Sequence, residues 1–192
     1  MIKYVTIFAI IFFCLFGSEA REECSSYTIN YMDWKMIFPS TVGEAVIMHQ
    51  LDYRPPGYYY KKIAKNKGEL ILTYDYNKGD FHDEYQPKET LFPRQLDSYM
   101  FRFPEKAGLQ DSLRVALEKS YGKEFRLTKA TSPPKAVMKM NYDLFFLEVD
   151  SCMTIGLASS PEIKKNDRSV IVRFLYKHSP EKRISAMRGF LL

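Results

Sequence analysis

Ser169-Val170-Ile171-Val172-Arg173-Phe174-Leu175-Tyr176 is the stretch on which the fold turns. Val170, Val172, Phe174 and Tyr176 alternate onto one face, while Ile171 and Leu175 occupy the other with Arg173 between them. β-Branched and aromatic side chains favour a pleated backbone. Apolar residues on both faces predict a strand covered on both sides, at the centre of a sheet.

Other strand-like runs surround it. Glu124 to Lys129, Tyr142 to Val149 and Met153 to Ala158 precede it. Earlier, the turn Arg54-Pro55-Pro56-Gly57 leads into Tyr58 to Ala64, and Asn66-Lys67-Gly68 separates that run from Glu69 to Tyr76. Asn and Gly tolerate positive φ, the requirement of a tight hairpin. Asn77-Lys78-Gly79-Asp80 repeats this chemistry before Phe81 to Tyr85, which predicts a three-stranded meander. Gln86 to Pro104 carries three prolines and reads as mostly irregular, with Tyr99, Phe101 and Phe103 on one face of a short strand. Tyr27 to Phe38 reads as one or two further strands.

Helical spacing is plainest from Leu109 to Tyr121. Leu109, Leu113, Ala116, Leu117 and Tyr121 share one face, Arg114, Glu118 and Lys119 the other, and Gly122 supplies the stop. The 41–50 segment reads two ways. Thr41-Val42-Gly43-Glu44 has the spacing of a capping box, yet Ala45, Ile47, Leu51 and Tyr53 alternate as in a strand, and Gly43 weakens a helix. The fold class is α+β: a mainly antiparallel sheet with one clear amphipathic helix at about 109–121 packed on it, and a second short helix as one reading of 41–50. Neither an internal repeat nor a dividing linker is visible, so 21–192 reads as a single domain.

The N-terminus sets the compartment. Lys3 precedes an apolar run from Tyr4 to Gly17, and Ser18-Glu19-Ala20 places small residues where a signal peptidase reads. Residues 1–20 are expected to be a cleaved signal peptide, with the mature chain starting at Arg21. The run is about 14 residues long, short of the roughly 20 that a membrane-spanning helix needs. The expected location is secreted or periplasmic, with no integral membrane segment after cleavage. Cys14 leaves with the signal, so Cys24 and Cys152 are expected to form a disulfide in an oxidising compartment. The bridge would close a loop of about 130 residues and stabilise by roughly 4–5 kcal/mol.

Charge is unevenly placed. Between Pro161 and Leu192, eight cationic side chains, including Lys164, Lys165, Lys177, Lys182 and Arg183, face three acidic ones. This end alone carries the chain's formal +5. Such a face attracts an acidic partner; lysines of this kind also serve as solvated residues that protect sheet edges. Nucleic acid is not an expected partner of an exported chain.

Catalytic signatures are missing: the chain has no His-Glu-x-x-His, no Gly-x-Ser-x-Gly and no phosphate-binding glycine loop. No cofactor is expected. Asp80, His82 and Glu84 would share a strand face and offer zinc or manganese ligands. Residues two apart lie about 7 Å apart along a strand, however, so at most two could reach one ion. The same cluster also reads as an ordinary polar turn. Tyr58-Tyr59-Tyr60 places Tyr58 and Tyr60 on one face and Tyr59 on the other, one suited to a core and one to a protein contact. These features describe an extracytoplasmic, non-enzymatic protein-binding domain, a class that includes inhibitors and immunity-type proteins. Its partner would carry an acidic surface and meet Tyr58, Tyr60, Lys164, Lys165, Lys177, Lys182 and Arg183. The alternatives are a secreted hydrolase assisted by a metal at Asp80, His82 and Glu84, or a carrier of lipid or polysaccharide.

Overall fold

The computed structural model describes residues 24, 26–54, 58–63, 68–74, 91–131, 141–159 and 168–176. In chain order these form β1 (Tyr27–Tyr31), β2 (Trp34–Phe38), α1 (Val42–His49), β3 (Asp52–Arg54), β4 (Tyr58–Ile63) and β5 (Gly68–Tyr74). There follow β6 (Leu96–Pro104), α2 (Leu109–Tyr121), β7 (Arg126–Thr131), β8 (Asn141–Glu148), β9 (Met153–Ser159) and β10 (Ser169–Tyr176). β1 and β2 make a separate hairpin, and the other eight strands form one antiparallel sheet in the order β3-β4-β5-β6-β10-β9-β8-β7. The class is α+β, dominated by sheet.

β10 lies between β6 and β9, and all eight of its residues are buried. Its two apolar faces therefore correspond to two covered faces of the sheet. Val170, Val172, Phe174 and Tyr176 join the main core with Phe101, Phe103, Leu70, Leu72, Ile155 and Leu157 from neighbouring strands. On this side lie Ile29, Met36 and Phe38 of the hairpin, Val42 and Ala45 of α1, and Leu117 of α2. The opposite side buries Ile71, Met100, Ile171, Leu175, Ala158 and Leu144. Arg173 is buried there too, its Nε donating to Ser98 Oγ at 2.8 Å.

The strand order shows a repeat that the sequence hides. Among the described elements, α1 precedes the four-stranded meander β3 to β6, and α2 precedes the four-stranded meander β7 to β10. The last strands of the two meanders, β6 and β10, pair antiparallel at the junction. The halves share an arrangement without sharing a visible residue pattern, because hydrophobic alternation fixes a strand's faces and leaves its identities free.

The 41–50 segment is helical. Thr41 Oγ1 accepts from the Glu44 amide at 3.2 Å, and Glu44 Oε2 accepts from the Thr41 amide at 2.7 Å. These bonds complete the capping box and hold the Glu44 carboxyl below its ordinary range. Two further N-terminal amides find carbonyls outside the helix: Val42 donates to Arg94 at 2.9 Å and Gly43 to Phe92 at 3.0 Å. A Cβ on Gly43 would sit 3.2 Å from the Phe92 carbonyl oxygen, so the glycine that lowers helix propensity permits this approach. Satisfied amides outweigh the alternating pattern.

Two other expectations are modified, and a third is untested. α2 spans Leu109–Tyr121, but its burial is narrow: Leu117 is buried, Leu109, Leu113 and Tyr121 are half-buried, and Ala116 is exposed. Two described helices therefore lie on the sheet, and neither the expected Ala116 contact nor a broad apolar stripe forms. Instead of a short strand in irregular chain, β6 runs nine residues at the centre of the sheet. Its proline, Pro104, is the last residue, where a missing amide costs least. The expected strand at 81–85 lies outside the described residues.

Cys24 and Cys152 are joined, with Cα atoms 5.6 Å apart. The chain between them spans 128 positions, so the bridge ties the start of the described chain to the turn between β8 and β9. Neighbouring bonds reinforce it. Tyr27 Oη donates to Asp150 Oδ2 at 2.5 Å, and Asp150 Oδ1 accepts from the Cys152 and Met153 amides at 2.8 and 3.0 Å. Burial pushes the Asp150 carboxyl up, but these bonds and Lys123 prevail and hold it below its ordinary value.

Two measurements check this account. Replacing both cysteines with serine should lower unfolding stability by about 4 kcal/mol in a urea titration; an unchanged midpoint would show that the bridge constrains nothing. Gly68→Ala should also destabilise, by roughly 1–3 kcal/mol, because the new Cβ would lie 2.5 Å from the Phe103 ring and 2.8 Å from the Arg102 carbonyl oxygen. A stability equal to wild type would mean that β5 and β6 are packed less closely there.

Candidate functional site

Three large apolar side chains, Met32, Ile47 and Met48, are exposed where α1 meets the β1–β2 hairpin. The hairpin reverses at Met32-Asp33, with Met32 at φ 53°, and Tyr31 pairs with Trp34 across the turn. Below, Tyr31 packs its ring 4.8 Å from Phe101 and 5.1 Å from Phe174, which seats the hairpin over β6 and β10. Trp34 packs edge-on 6.5 Å from Phe101 as well and also reaches α1. Its ring lies 5.2 Å from His49, the last residue of α1, so the hairpin turn and the last helical turn sit side by side.

α1 buries Val42, Gly43, Ala45, Val46 and His49. Glu44, Ile47 and Met48 therefore form its outer face, at the i, i+3, i+4 spacing of one helical stripe. Glu44 is engaged in the capping box. Ile47 is 74% exposed and Met48 42%, while Met32 on the adjoining turn is 43% exposed. A surface helix ordinarily turns polar residues outward, and this one is apolar on both sides over its last turn. Lys35 is exposed on β2, and Lys61 Nζ donates to the His49 carbonyl at 2.8 Å, while Lys62 lies on the other face of β4. The end thus presents a small apolar surface bordered by cations.

Beneath it lie buried polar groups. His49 is 8% exposed, its ring between Trp34 and, at 5.7 Å, Tyr99. Among the described residues, neither His49 Nε2 nor Tyr31 Oη finds a hydrogen-bond partner. Burial, helped by the Lys61 ammonium, holds the His49 imidazole below its ordinary pKa. Burial likewise pushes the Tyr31 and Tyr99 phenols up. The arrangement offers contact and packing.

The residues singled out from sequence are distributed differently. Cys24 and Cys152 come together in the disulfide. Tyr58 opens β4 opposite Arg54. Tyr59 is wholly buried in the main core, so Tyr60 faces the other side of the sheet, away from α1, half-buried with the Arg54 guanidinium 5.8 Å from its ring. Lys164, Lys165, Lys177, Lys182 and Arg183 lie outside the described residues, as do Asp80, His82 and Glu84. Among the described residues, no three His, Cys, Asp or Glu side chains converge to hold a metal ion. No described helix is long and apolar enough to cross a membrane.

Sequence reasoning passed over Met32, Ile47, Met48 and His49. The available signal was the capping box: once Thr41 to Glu44 starts a helix, Ile47 and Met48 fall three and four residues beyond Glu44, on the solvent side. Comparison with known proteins adds no relative, since no protein-family model, no curated protein and no solved structure matches the chain.

Proposed function

We propose that this chain is an exported, non-enzymatic domain that binds another protein through Met32, Ile47 and Met48, in the manner of an inhibitor or immunity-type protein. The observation that carries the proposal is the apolar outer stripe of α1. Polar side chains at Ile47 and Met48 would serve the fold equally well, since the core contacts of α1 come from its other face. Burial of a side chain of this size contributes about 1.5–3 kcal/mol, and among the described residues nothing covers Ile47. A protein partner supplies that burial.

Charge suggests the partner's character. Lys61 reaches the last turn of α1 at the His49 carbonyl, and the sequence of the C-terminal segment holds Lys164, Lys165, Lys177, Lys182 and Arg183. A partner with apolar side chains ringed by carboxylates matches both, with the cations speeding encounter and the apolar centre holding the complex. Export is supported by the leader-like residues 1–20 and by the Cys24–Cys152 bridge, which suits an oxidising compartment.

The test is capture of partner from extracts of the source organism and its neighbours, using disulfide-linked chain as bait. Wild type should retain one protein stoichiometrically, less at high salt. The Ile47→Glu, Met48→Glu double variant, with unchanged circular dichroism, should bind it at least 100-fold more weakly, as expected when two such contacts are lost. Equal retention by the variant would place the contact elsewhere.

A further inference from the structure

We infer that His49 is an acid-sensitive latch: its neutral ring joins the hairpin turn to the last turn of α1, and protonation separates the two and dismantles the contact surface. The inference rests on the protein-binding reading for its purpose, but its geometry stands on the free chain.

The ring bridges three elements. It ends α1, lies against Trp34 of β2 on one side, and meets Tyr99 of β6 edge-on on the other. Met32 is two residues from Trp34, and Ile47 and Met48 immediately precede His49. This buried ring therefore joins the two elements that carry the exposed apolar side chains.

A proton on that ring has no favourable place. Among the described residues, Nε2 has no acceptor. The charged or titratable groups facing it among the described residues are the Lys61 ammonium from β4, a like charge, and the Tyr99 phenol from β6, which burial keeps neutral. β2 contributes only the uncharged Trp34 ring. Glu44, on the same helix, is committed to Thr41 at the opposite end. Two effects favour the cation: attraction to the Trp34 ring and the negative end of the helix dipole. The second is already answered by Lys61 at the His49 carbonyl. Against them stand burial and the Lys61 ammonium, which hold the imidazole below its ordinary pKa.

The sign follows from linkage. A basic group that binds its proton less readily in the closed state favours that state above its ordinary pKa and loses the contribution as pH falls through that range. Relief comes from moving the ring into water. Because His49 lies beside the turn, the smallest movement that achieves this parts Trp34 from α1 and leaves the sheet intact. An exported chain entering an acidic environment would then release its partner, and reform the surface on return to neutrality.

Trp34 is the only tryptophan of the chain, so its emission reports the latch directly. Disulfide-linked full chain is titrated from about pH 8 to about pH 4.5, following tryptophan emission, acrylamide quenching and far-ultraviolet circular dichroism. The expected result is a reversible red shift with at least a two-fold rise in quenching, centred below the ordinary imidazole pKa of about 6.5, and no loss of circular dichroism. His49→Phe, which keeps a buried ring and cannot titrate, should abolish the transition, as should His49→Gln should Phe not fold. Lys61→Met should move the midpoint upward. The latch is overturned by a flat titration, by a transition that survives in His49→Phe, or by one that coincides with loss of the sheet signal. Since the readout uses no partner, those outcomes leave the contact surface standing. Equal capture by the Ile47→Glu, Met48→Glu variant would remove the surface and leave the latch intact.

Discussion

The pairing of β10 with β6 joins Ser169 to Pro104 at one end and Leu175 to Ser98 at the other. Each half of the sheet depends on it, because β6 and β10 are the last strands of two four-stranded meanders. Apart, each meander would expose a long apolar edge, the feature most prone to unwanted strand addition. Paired, they place those edges at the centre, and what remains outside is β3, three residues long, and β7, which carries exposed Arg126 and Lys129. Short length and cations both discourage further pairing. Arg173 fits this logic. It lies opposite Met100 at the junction, and a buried guanidinium is tolerated only where acceptors reach it, so its Ser98 contact helps fix the register of the two halves.

The sheet also determines where the hairpin and α1 can sit. Tyr31 fills the surface between Phe101 and Phe174, which are side chains of the two junction strands. Phe38, at the other end of the hairpin, packs against Tyr99 and Tyr176 of the same two strands. The hairpin therefore lies across the seam and covers it. The disulfide acts in the same place from outside: Cys24 is three residues before β1, and its carbonyl accepts from Tyr176 Oη at 3.4 Å. The long-range closure, the hairpin and the strand junction restrain one another, which positions the tip bearing Met32 and Trp34.

What could be read from the chain divides along the range of the interactions. β4, β5, β8, β9 and β10 follow from local alternation, and β10's two apolar faces correctly indicate a central place. Prolines concealed β6, because a count of prolines over Gln86 to Pro104 does not reveal that Pro104 stands at the strand's last position. The two-half arrangement is a matter of which strands pair, and alternation is silent on pairing. For 41–50, helix and strand patterns compete locally, and carbonyls of Phe92 and Arg94, about fifty residues away, decide between them. The candidate surface inherits that ambiguity: read as a strand, Ile47 points inward with Ala45, and only as a helix does it join Met48 outside. Aromatic richness at Tyr58 to Tyr60 does not mark the surface at α1, since Tyr59 is spent in the core and Tyr60 lies on the other side of the sheet from α1.

The outer stripe of α1 is informative because the fold does not require it. A core side chain is constrained by packing, and replacement costs stability wherever the cavity cannot close. Ile47 bears no such constraint, since it lies on the side of the helix away from Val42, Ala45 and Val46. Helix propensity does not demand it either, because isoleucine is a weaker helix former than lysine or glutamate. Solubility argues against it. An exposed β-branched residue next to an exposed methionine, on a helix otherwise well anchored at its capping box, is thus best accounted for by contact with something that covers both. His49 adds the complementary point. A phenylalanine there would pack between Trp34 and Tyr99 without leaving an unbonded nitrogen near an ammonium, so the imidazole costs stability that an apolar ring would not. One position carries an apolar residue where the fold has no use for it, and two residues later a polar ring sits where the core would prefer an apolar one. The proposed binding role would account for the first, and the proposed change of protonation under that surface for the second.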